Sequence, residues 1–465
     1  CILSCMGSNA QPVQGVTPAA TRYVRTVAAT AALGGLLFGY DTGVMSGALL
    51  FITPDFGMTP SQEGFVTSML LVGAAIGALT GGAVADALGR RRTLILSGVI
   101  FVVGSGWCAL AGGVGSLAAA RTLLGFAVGA VSIVTPMYIA EVVPAAVRGR
   151  LVSLNTLLIV VGQLLAYLVN SLLAPTGNWH LMLGAAAVPG LMLAVGMLML
   201  PETPLWLARR GRLEEATTVA TRVGITYDEL DIAHKEDVAR RAQDSNEWAE
   251  FTRHRWLRVT VLIAALLGIT QQITGVNAIV YFAPTMMNKV GLSTENAVYT
   301  SIVIGVVSVV ACWIGLQVID KIGRRKLLLI GLTGNVVFLA ALALMYRAAE
   351  QNASLAWVAL ACMAGFIASQ QAAVSPTTWL LISELVPPQI RGLGMGLAGL
   401  ALWSMNWVVA QFFLPLVDAF SATAIFAVFA IFGIVAAIFV TRHVPETMRR
   451  SLEDVAGDME RRYAR

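Results

Sequence analysis

The sequence predicts an all-helical membrane protein with twelve transmembrane helices in two similar halves. Only 12% of its 465 residues are charged, 57% are hydrophobic, and the mean hydropathy is +0.76, whereas a soluble domain carries about 25% charged residues. Twelve apolar runs reach the roughly 20 residues that a helix needs to cross a bilayer. A short charged motif also recurs between these runs, once in each half. Water therefore cannot be the main solvent of this chain.

The apolar runs follow one another with short polar connections, six before and six after one longer polar stretch. They lie at residues 25–51, 64–85, 93–111, 116–140, 151–172, 181–200, 257–288, 297–319, 327–346, 355–381, 393–416 and 423–441. Ten-residue segments of alternating hydrophobicity, which a transmembrane barrel requires, do not occur in this sequence. Each run is therefore predicted to be a helix, and the 45 glycines favour close packing between helices in lipid.

Positive charge is concentrated on one predicted side of the membrane. All but three of the 31 Lys and Arg residues lie at the termini or in the connections after even-numbered helices. The exceptions are Arg121 inside a run and Lys289 and Arg347 in odd-numbered connections. Because cytoplasmic connections carry an excess of Lys and Arg, both termini are predicted to be cytoplasmic. This recurrence at helix spacing argues against a nucleic-acid-binding patch.

The same charged motifs occur at corresponding places in the two halves. The turn at 86–92, Asp-Ala-Leu-Gly-Arg-Arg-Arg, matches the turn at 320–326, Asp-Lys-Ile-Gly-Arg-Arg-Lys. Two further pairs match: Glu141 before Arg148-Gly149 with Glu384 before Arg391-Gly392, and Pro201-Glu202-Thr203 with Pro445-Glu446-Thr447. One six-helix bundle is therefore predicted to be duplicated in parallel.

These observations divide the chain into five segments. They are a disordered tail at 1–21, a first six-helix bundle at 22–200, a cytoplasmic linker with short helices at 201–256, a second bundle at 257–441 and a cytoplasmic tail at 442–465. The linker has no nucleotide or metal motif, and the five cysteines lack metal-ligand spacing. We therefore expect no enzyme, no cofactor and no metal. The first apolar run is too long for a cleavable signal peptide.

Two ionisable residues lie deep inside apolar runs, Asp41 in the first and Arg121 in the fourth. A charge inside a bilayer is costly and usually functional, and no other run carries a lone charge well inside it, so we expect the two to pair. One interpretation is a static link between two helices. The interpretation that we favour is a proton switch, because separating the pair would change the proton affinity of Asp41.

The seventh run is rich in uncharged polar side chains. Gln271, Gln272 and Asn277 offer hydrogen-bond donors and acceptors without charge, which suits a ligand with vicinal hydroxyl groups. Gly275 and Pro284 allow this helix to bend or open. The alternative is that these amides hydrogen-bond neighbouring helices.

Four residues in other runs are candidates for the rest of a binding-site wall. They are Gln163, Trp379, Trp403 and Asn406. An aromatic face stacks well against the C–H face of a sugar or cyclitol. For each tryptophan taken alone, core packing or an interfacial position remains an open alternative.

With these residues in place, the chain resembles the sugar porters of the major facilitator superfamily over residues 22–455. The residues that carry the resemblance are the paired Asp-x-x-Gly-Arg-Arg turns, Arg121, Pro136-Met-Tyr-Ile-Ala-Glu141 with Arg148-Gly149-Arg150, Pro201-Glu-Thr-Pro-Leu-Trp-Leu207, Gln271-Gln272 through Asn277, Pro376, Trp379, Ser383-Glu384 with Arg391-Gly392, and Pro445-Glu446-Thr447. The run at 391–396 and the Leu402-Trp403 pair are most similar to bacterial myo-inositol:proton symporters and their hexose-carrying relatives. The resemblance implies the major facilitator fold.

The resemblance also implies roles for particular residues. Asp41 would be the protonation site, with Arg121 as its partner. The substrate site would comprise Phe38, Thr156, Gln163, Gln271, Gln272, Asn277, Tyr281, Trp379, Trp403 and Asn406. The cytoplasmic gate would comprise Asp86, Arg90, Arg91, Glu141, Arg148, Glu202, Asp320, Arg324, Arg325, Glu384, Arg391 and Glu446. For any one of these charges, ordinary turn chemistry is the alternative. Thr156 stands where many members place a glutamine, which leaves the substrate identity open.

The predicted function is secondary active import of a sugar or cyclitol, either myo-inositol or a hexose or pentose, with a proton by alternating access. We expect a monomer in a bacterial inner membrane, with a neutral polyol, protons and the lipid bilayer as partners and no nucleic acid. A passive facilitator is the main alternative, and Asp41 argues against it. A sugar sensor would need a long cytoplasmic tail, and a drug:proton antiporter would need a Gly-Pro signature in the fifth run; neither occurs in this sequence.

Overall fold

The computed structural model describes residues 26–27, 29–143, 145–223, 225, 230–231, 235 and 247–464, without the side chains of 145–153 and 353. Twelve helical segments within these residues are long and apolar enough to cross a membrane. They are α1 Ala29–Phe56, α2 Pro60–Leu88, α3 Arg90–Ala109, α4 Val114–Val142, α5 Leu154–Thr176, α6 Trp179–Leu198, α7 Arg255–Lys289, α8 Thr294–Ile322, α9 Arg324–Gln351, α10 Ala356–Leu385, α11 Pro388–Ala419 and α12 Ala422–His443. The described residues contain no strand, so the all-helical prediction with twelve spans is confirmed. The predicted tail at 1–21 lies outside the described residues.

Several helices extend beyond the apolar runs that predicted them. The run at 64–85 becomes α2, which begins four residues earlier, after Thr59. The Thr59 hydroxyl accepts a hydrogen bond from the Gln62 amide, the Gln62 side chain bonds back to the Thr59 amide, and Pro60 occupies the first helical position. These features stabilise a helix N-terminus. Hydropathy thus locates the lipid-embedded part of a helix, whereas caps set its ends.

Glycines bring the helices of the first half into close contact. A Cβ atom on Gly39 of α1 would lie 1.7 Å from the Ile159 carbonyl oxygen of α5, and one on Gly125 of α4 would lie 1.9 Å from the Leu70 carbonyl oxygen of α2. In lipid, helix association depends on such close approach because apolar side chains gain little by leaving the tails. The two contacts pack α1 against α5 and α4 against α2, and α1 and α4 are the helices that carry Asp41 and Arg121.

Two helices of the second half are irregular near their middle. α7 consists of Arg255–Ile273 and Val276–Lys289, which are separated at Gly275, a residue with φ of +82°. α10 contains a π-helical turn at Gln370–Val374. The sequence predicted a bend or opening in α7, but it gave no sign of the turn in α10. Irregular backbone inside a membrane span is tolerated where protein buries it or where it lines a cavity.

Short helices mark one end of the bundle, which we call the linker side. They lie at Pro204–Arg209, Leu213–Val223, Glu247–Arg253 and Leu452–Tyr463. Trp206 donates from its indole nitrogen to the Asp86 carbonyl at the end of α2 (3.0 Å), and Val455 packs in an apolar cluster with Leu328 of α9. The linker helices and the C-terminal helix are therefore docked on the membrane bundles.

The two halves touch each other towards the opposite end of the bundle. Ser68 of α2 donates to the Gln411 side chain of α11 (2.8 Å), and the Gln411 amide donates to the Ser61 carbonyl (3.4 Å). A Cβ atom on Gly305 of α8 would lie 2.8 Å from both Leu164 and Tyr167 of α5. The contacts α2–α11 and α5–α8 are related by the duplication, since helices 2 and 5 correspond to helices 8 and 11. They close the interface away from the linker side.

Replacing Gly64 by Leu should prevent this closure. A Cβ atom at Gly64 would lie 2.3 Å from the backbone oxygen of Gln411, and this backbone cannot give way without moving α11. We expect spin labels at Pro54 and Phe420, one in each half, to move several ångströms further apart. Gly82→Leu on the same helix has open space around it and should leave the distance unchanged. An unchanged distance in Gly64→Leu would contradict the tight contact.

Candidate functional site

Asp41 and Arg121 form an ion pair between α1 and α4. The Oδ1 atom of Asp41 lies 2.8 Å from Nη1 of Arg121, and both side chains are 0% exposed. The pair lies among helices that pack through the glycine contacts described above. The structure thus brings together the two charges that the sequence placed alone in separate spans.

Only one hydrogen bond joins the two groups. Asp41 Oδ2 and Arg121 Nε and Nη2 are buried and have no hydrogen-bond partner among the described side chains. Removing two charges from water costs several kcal/mol each, and this cost is recovered only when geometry is excellent and the remaining atoms are satisfied. The pair is therefore easier to separate than a bidentate one, because breaking a single contact releases both groups.

The amides that flank the break in α7 form a polar wall. Asn277 donates to the side-chain oxygens of Gln272 (2.9 Å) and of Asn406 on α11 (2.7 Å). In the described structure these amides therefore also link two helices, which was the alternative interpretation of the pattern. The Gln271 side-chain oxygen is buried without a partner among the described residues. The wall combines neutral donors and acceptors that a polyol can exchange for its own hydroxyl groups.

Gln163 connects the first half to this wall through Tyr167. The Gln163 amide donates to the Tyr167 hydroxyl (2.9 Å), which in turn donates to the Val280 carbonyl of α7 (3.2 Å). A Cβ atom on Gly43, two residues after Asp41, would lie 2.8 Å from the Gln163 carbonyl oxygen. Gln163 and Tyr167 therefore lie between the helix that carries Asp41 and the helix that carries the polar wall.

Aromatic rings also cross between the halves at this level. Phe38 of α1 and Trp403 of α11 have ring centroids 5.9 Å apart at an interplanar angle of 44°. Trp403 is 9% exposed, whereas Trp379 on α10 is 42% exposed. Thr156 on α5 is half-buried. The structure therefore places Phe38 and Trp403 in the central contact, while Trp379 remains accessible.

On the linker side, the charged motifs of the first half close into a ring. Arg90 is 1% exposed and contacts Asp86 (2.8 Å) and Glu141 (3.0 Å). Glu141 accepts a second hydrogen bond from the Thr203 hydroxyl. Glu202 accepts from the Arg91 backbone amide at the start of α3 (3.1 and 3.2 Å), where a carboxylate is favoured by the helix dipole.

The second half repeats this ring with its own residues. Arg324 contacts Asp320 (3.1 Å) and Glu384 (3.5 Å). The Thr447 hydroxyl donates to Glu384. Glu446 accepts from the backbone amides of Arg324 (2.9 Å) and of the next residue, Arg325 (3.2 Å), at the start of α9.

Positive φ angles explain the glycine in each turn. Gly89 has φ of +102° and Gly323 has φ of +100°, a conformation that other residues rarely adopt. A Cβ atom would also lie 2.2 Å from the Glu202 carboxylate at the first turn and 2.8 Å from the Glu446 carboxylate at the second. In each half, the turn and the Pro-Glu-Thr motif therefore form one helix cap, in which the glycine leaves space for the glutamate carboxylate.

The described side chains of the remaining predicted gate residues donate to backbone carbonyls rather than to carboxylates. Arg391 is exposed and donates to the Ser383 carbonyl at 3.5 Å. The Arg325 side chain donates to the Thr441 carbonyl, and Arg91 donates to the Leu198 carbonyl (2.7 Å). The side chain of Arg148 lies outside the described residues. Burial raises the pKa of Glu202, against the hydrogen bonds and the Arg90 charge that lower it.

Sequence reasoning missed three kinds of contact in this region. Glu247 of the linker accepts from the amides of Gly392 (3.0 Å) and Leu393 (2.7 Å), and so caps α11. The sequence gives no signal for this cap, because Glu247 is one of many charged residues in the linker. Thr203 bonds Glu141, a role that its place in Pro-Glu-Thr could have suggested. Tyr167 follows Gln163 by four residues, which puts both on one helix face. The described residues contain no group of three or more potential metal-binding side chains.

Known proteins resemble this chain over nearly its whole length. A family model described as "Sugar (and other) transporter" matches residues 27–458. The major myo-inositol transporter IolT of Bacillus subtilis (strain 168) is 38% identical over 442 residues, which cover 93% of this chain and 93% of that protein. The structure of the proton:xylose symporter XylE bound to 6-bromo-6-deoxy-D-glucose is 30% identical with a TM-score of 0.76 and covers 95% of this chain and 100% of that one. The inward-open structure of XylE from E. coli is 29% identical with a TM-score of 0.79 and covers 94% of this chain and 99% of that one.

Breaking the central ion pair from one side should destabilise the protein. Arg121→Leu leaves the Asp41 carboxylate buried without its charge partner, and we expect the free energy of unfolding to fall by about 3 kcal/mol. The double variant Asp41→Asn/Arg121→Leu should recover most of this loss, because no charge is left unpaired. Unfolding in detergent micelles measures both.

Arg347→Leu is the control for loss of an arginine. This residue is exposed, so its removal should change the free energy of unfolding by less than about 0.5 kcal/mol. Equal free energies of unfolding for Arg121→Leu and the wild type would show that Arg121 does not stabilise the buried Asp41 carboxylate.

Proposed function

The chain belongs to the sugar (and other) transporter family, and we propose that it imports a sugar or cyclitol together with a proton by alternating access. The observation that carries this proposal is the buried Asp41–Arg121 pair beside a neutral polar wall between two halves. A titratable pair next to a ligand site is what coupled transport requires, because one movement can then change the occupancy of both.

The substrate is a small neutral polyol. The wall at Gln272, Asn277 and Asn406 offers amides and no charge, and Phe38 with Trp403 supplies an aromatic face. The relatives named above transport myo-inositol and xylose, which share several neighbouring hydroxyl groups. We assign myo-inositol, a hexose or a pentose to this site. The other predicted site residues, Gln163, Gln271, Tyr281, Trp379 and Thr156, complete its surroundings.

The proton acts at Asp41. In the paired state the carboxylate accepts from Arg121 and carries a charge. Protonation of Asp41 removes that charge and weakens its bond to Arg121, so α1 and α4 can shift relative to each other. When Asp41 returns to Arg121, the guanidinium favours the carboxylate form and the proton is released.

The orientation in the membrane follows from the side that carries most Lys and Arg residues and from the end at which the two halves touch. The linker side carries the Lys- and Arg-rich connections and is therefore cytoplasmic, with both termini on that side and the protein in a bacterial plasma membrane. The bundles at 22–200 and 257–441 move against each other and are joined by the linker at 201–256. The contacts between halves at Gln411 and Gly305 lie at the other end, which fits the likeness to the inward-open form of XylE.

The two charged rings keep the cytoplasmic ends of the bundles rigid and form the gate. Each ring uses an arginine, two acids and a threonine from its own half. Bistable contacts between such rigid ends can open and close as the bundles rock. Arg391, which is exposed, is the gate residue that we place at the edge of the second bundle, and Arg148 is a further gate residue by its place in the duplicated motif.

The membrane potential is sufficient to drive accumulation. One elementary charge that moves through about 150 mV releases about 3.5 kcal/mol. This energy supports roughly 300-fold accumulation of a neutral solute before any pH gradient is added. A passive facilitator with the same fold would show no accumulation, and the following experiment separates the two.

Asp41→Asn should abolish proton-driven accumulation. In proteoliposomes with radiolabelled inositol, hexoses and pentoses, the wild type should accumulate one of these solutes when a pH gradient is imposed. The variant cannot bind and release a proton at this position, so it should lose accumulation but keep counterflow exchange. Asp55→Asn, an exposed carboxylate on the same helix that bonds Trp179 (3.0 Å), is the control and should accumulate normally. Accumulation by the wild type that ignores the gradient would leave a facilitator with a structural ion pair.

Asn277→Leu should weaken substrate binding. The change removes the amide that joins Gln272 to Asn406, and the loss of hydrogen bonds to the solute should raise KM about tenfold. Asn288→Leu changes an amide at the far end of the same helix, which bonds the Leu292 carbonyl (3.0 Å), and should leave KM within about twofold of the wild type. A normal KM in Asn277→Leu would exclude this wall from the substrate site.

A further inference from the structure

Two fully buried amides lie behind the break in α7 and have no role in the function proposed above. Asn335 on α9 and Gln370 on α10 are both 0% exposed. Asn335 donates from Nδ2 to Oε1 of Gln370 (2.6 Å), and Gln370 donates from Nε2 to the backbone carbonyl of Gln271 (3.1 Å). A chain of hydrogen bonds therefore runs from α9 through α10 to the edge of the polar wall.

The break in α7 explains why the Gln271 carbonyl needs this donor. In a continuous helix, this carbonyl would accept from the amide of Gly275, four residues later. Gly275 instead has φ of +82° and donates to the Gln272 carbonyl (2.9 Å). A buried carbonyl without a partner costs free energy comparable to a lost hydrogen bond. The Gln370 amide supplies the partner that the helix cannot.

Gln370 itself is held firmly in place. It begins the π-helical turn of α10, and glycines on two neighbouring helices approach this turn closely. A Cβ atom would lie 2.2 Å from the Ala372 carbonyl if placed on Gly315 of α8, and 2.4 Å from the Ser369 hydroxyl if placed on Gly334 of α9. π-helical turns are frequent at functional sites. Two neighbouring helices therefore pack closely against the chain on either side of Gln370, and its two hydrogen bonds position the side chain.

We propose that Asn335 and Gln370 are positioning residues for the substrate site. By bonding the Gln271 carbonyl, they hold the end of the first α7 segment, just before the break. The side chains of Gln271 and Gln272 therefore keep their alignment with the solute hydroxyls. This inference rests on the proposed function, since it assigns the amides on α7 to a polyol. Asn335 acts one step further away, because it orients the Gln370 amide by occupying its oxygen.

The proposal predicts an effect on substrate affinity and not on proton coupling. The ion pair lies on α1 and α4 of the first half, whereas the amide chain lies on three helices of the second half. Misplaced Gln271 and Gln272 side chains would lower the affinity for the solute. The protonation and movement of Asp41 would be unaffected.

The experiment measures uptake kinetics of Gln370→Met, Asn335→Leu and the double variant in proteoliposomes, with the solute that the wild type accumulates best. Met keeps the length of Gln370 and removes both hydrogen bonds. We expect KM to rise about tenfold in Gln370→Met, with Vmax within about twofold and an unchanged dependence of accumulation on the imposed pH gradient. Asn335→Leu should raise KM less, and the double variant should match Gln370→Met, because both residues act through one bond.

Tyr346→Phe is the matched control. It removes a buried hydrogen bond between two of the same three helices, from the Tyr346 hydroxyl of α9 to the Met286 carbonyl of α7 (3.0 Å), on the other side of the break. Its KM should stay within about twofold of the wild type. A merely structural role for the amide chain would lower thermal stability and Vmax in Gln370→Met and leave KM unchanged, and this result would overturn the proposal. If Gln370→Met does not fold, an unchanged KM in Asn335→Leu overturns it equally.

Wild-type behaviour separates this inference from the proposed function. If the wild type takes up none of the solutes, the proposed function fails, and the positioning role fails with it. If the wild type accumulates a solute and the variants keep its KM, the proposed function stands and only the positioning role is overturned.

Discussion

The buried ion pair of Asp41 and Arg121 is the interaction on which the rest of this structure depends. Two charges with 0% exposure inside a membrane bundle are tolerated only while they face each other. Their helices are positioned by the backbone contacts at Gly39 and Gly125, where any larger side chain would clash. Because the packing is so close and the pair has only one hydrogen bond, a small displacement of α1 against α4 has a large electrostatic consequence.

A second constraint acts at the linker side, where the charged motifs of each half form a closed ring. Glu202 and Glu446 cap the starts of α3 and α9, and the glycine before each cap leaves space for the carboxylate. These caps tie helix ends of the same half together at the linker side. The irregular backbone lies elsewhere, at the middle of α7 and α10, close to the polar wall.

The sequence was sufficient for the spans, the duplication and the pairing of the two lone charges, because each depends on composition or on repetition. It could not predict the role of Gln370, since a single amide in an apolar run has the same appearance whether it binds a ligand, supports a helix break or links two helices. The π-helical turn and the residue before it pack against Gly315 and Gly334, which lie 55 and 36 residues before Gln370 in the sequence. The sequence also could not predict which state would be seen. The contacts near Gln411 belong to a state that is closed at this end, and alternating access requires a second state in which they are broken.

The two halves are alike at their ends and different at their centres, and in the function that we propose this difference lets one fold couple two solutes. The first half contributes a charged pair, and the second contributes neutral amides supported by a rigid chain behind them. Contact between these centres passes through few groups, mainly the Tyr167 hydroxyl on the Val280 carbonyl and the Phe38 ring on Trp403. Both contacts cross the interface along which the bundles move. In this proposal, proton and polyol influence each other without sharing a binding residue. Each ligand stabilises one position of its own half, and the other half must adapt to that position.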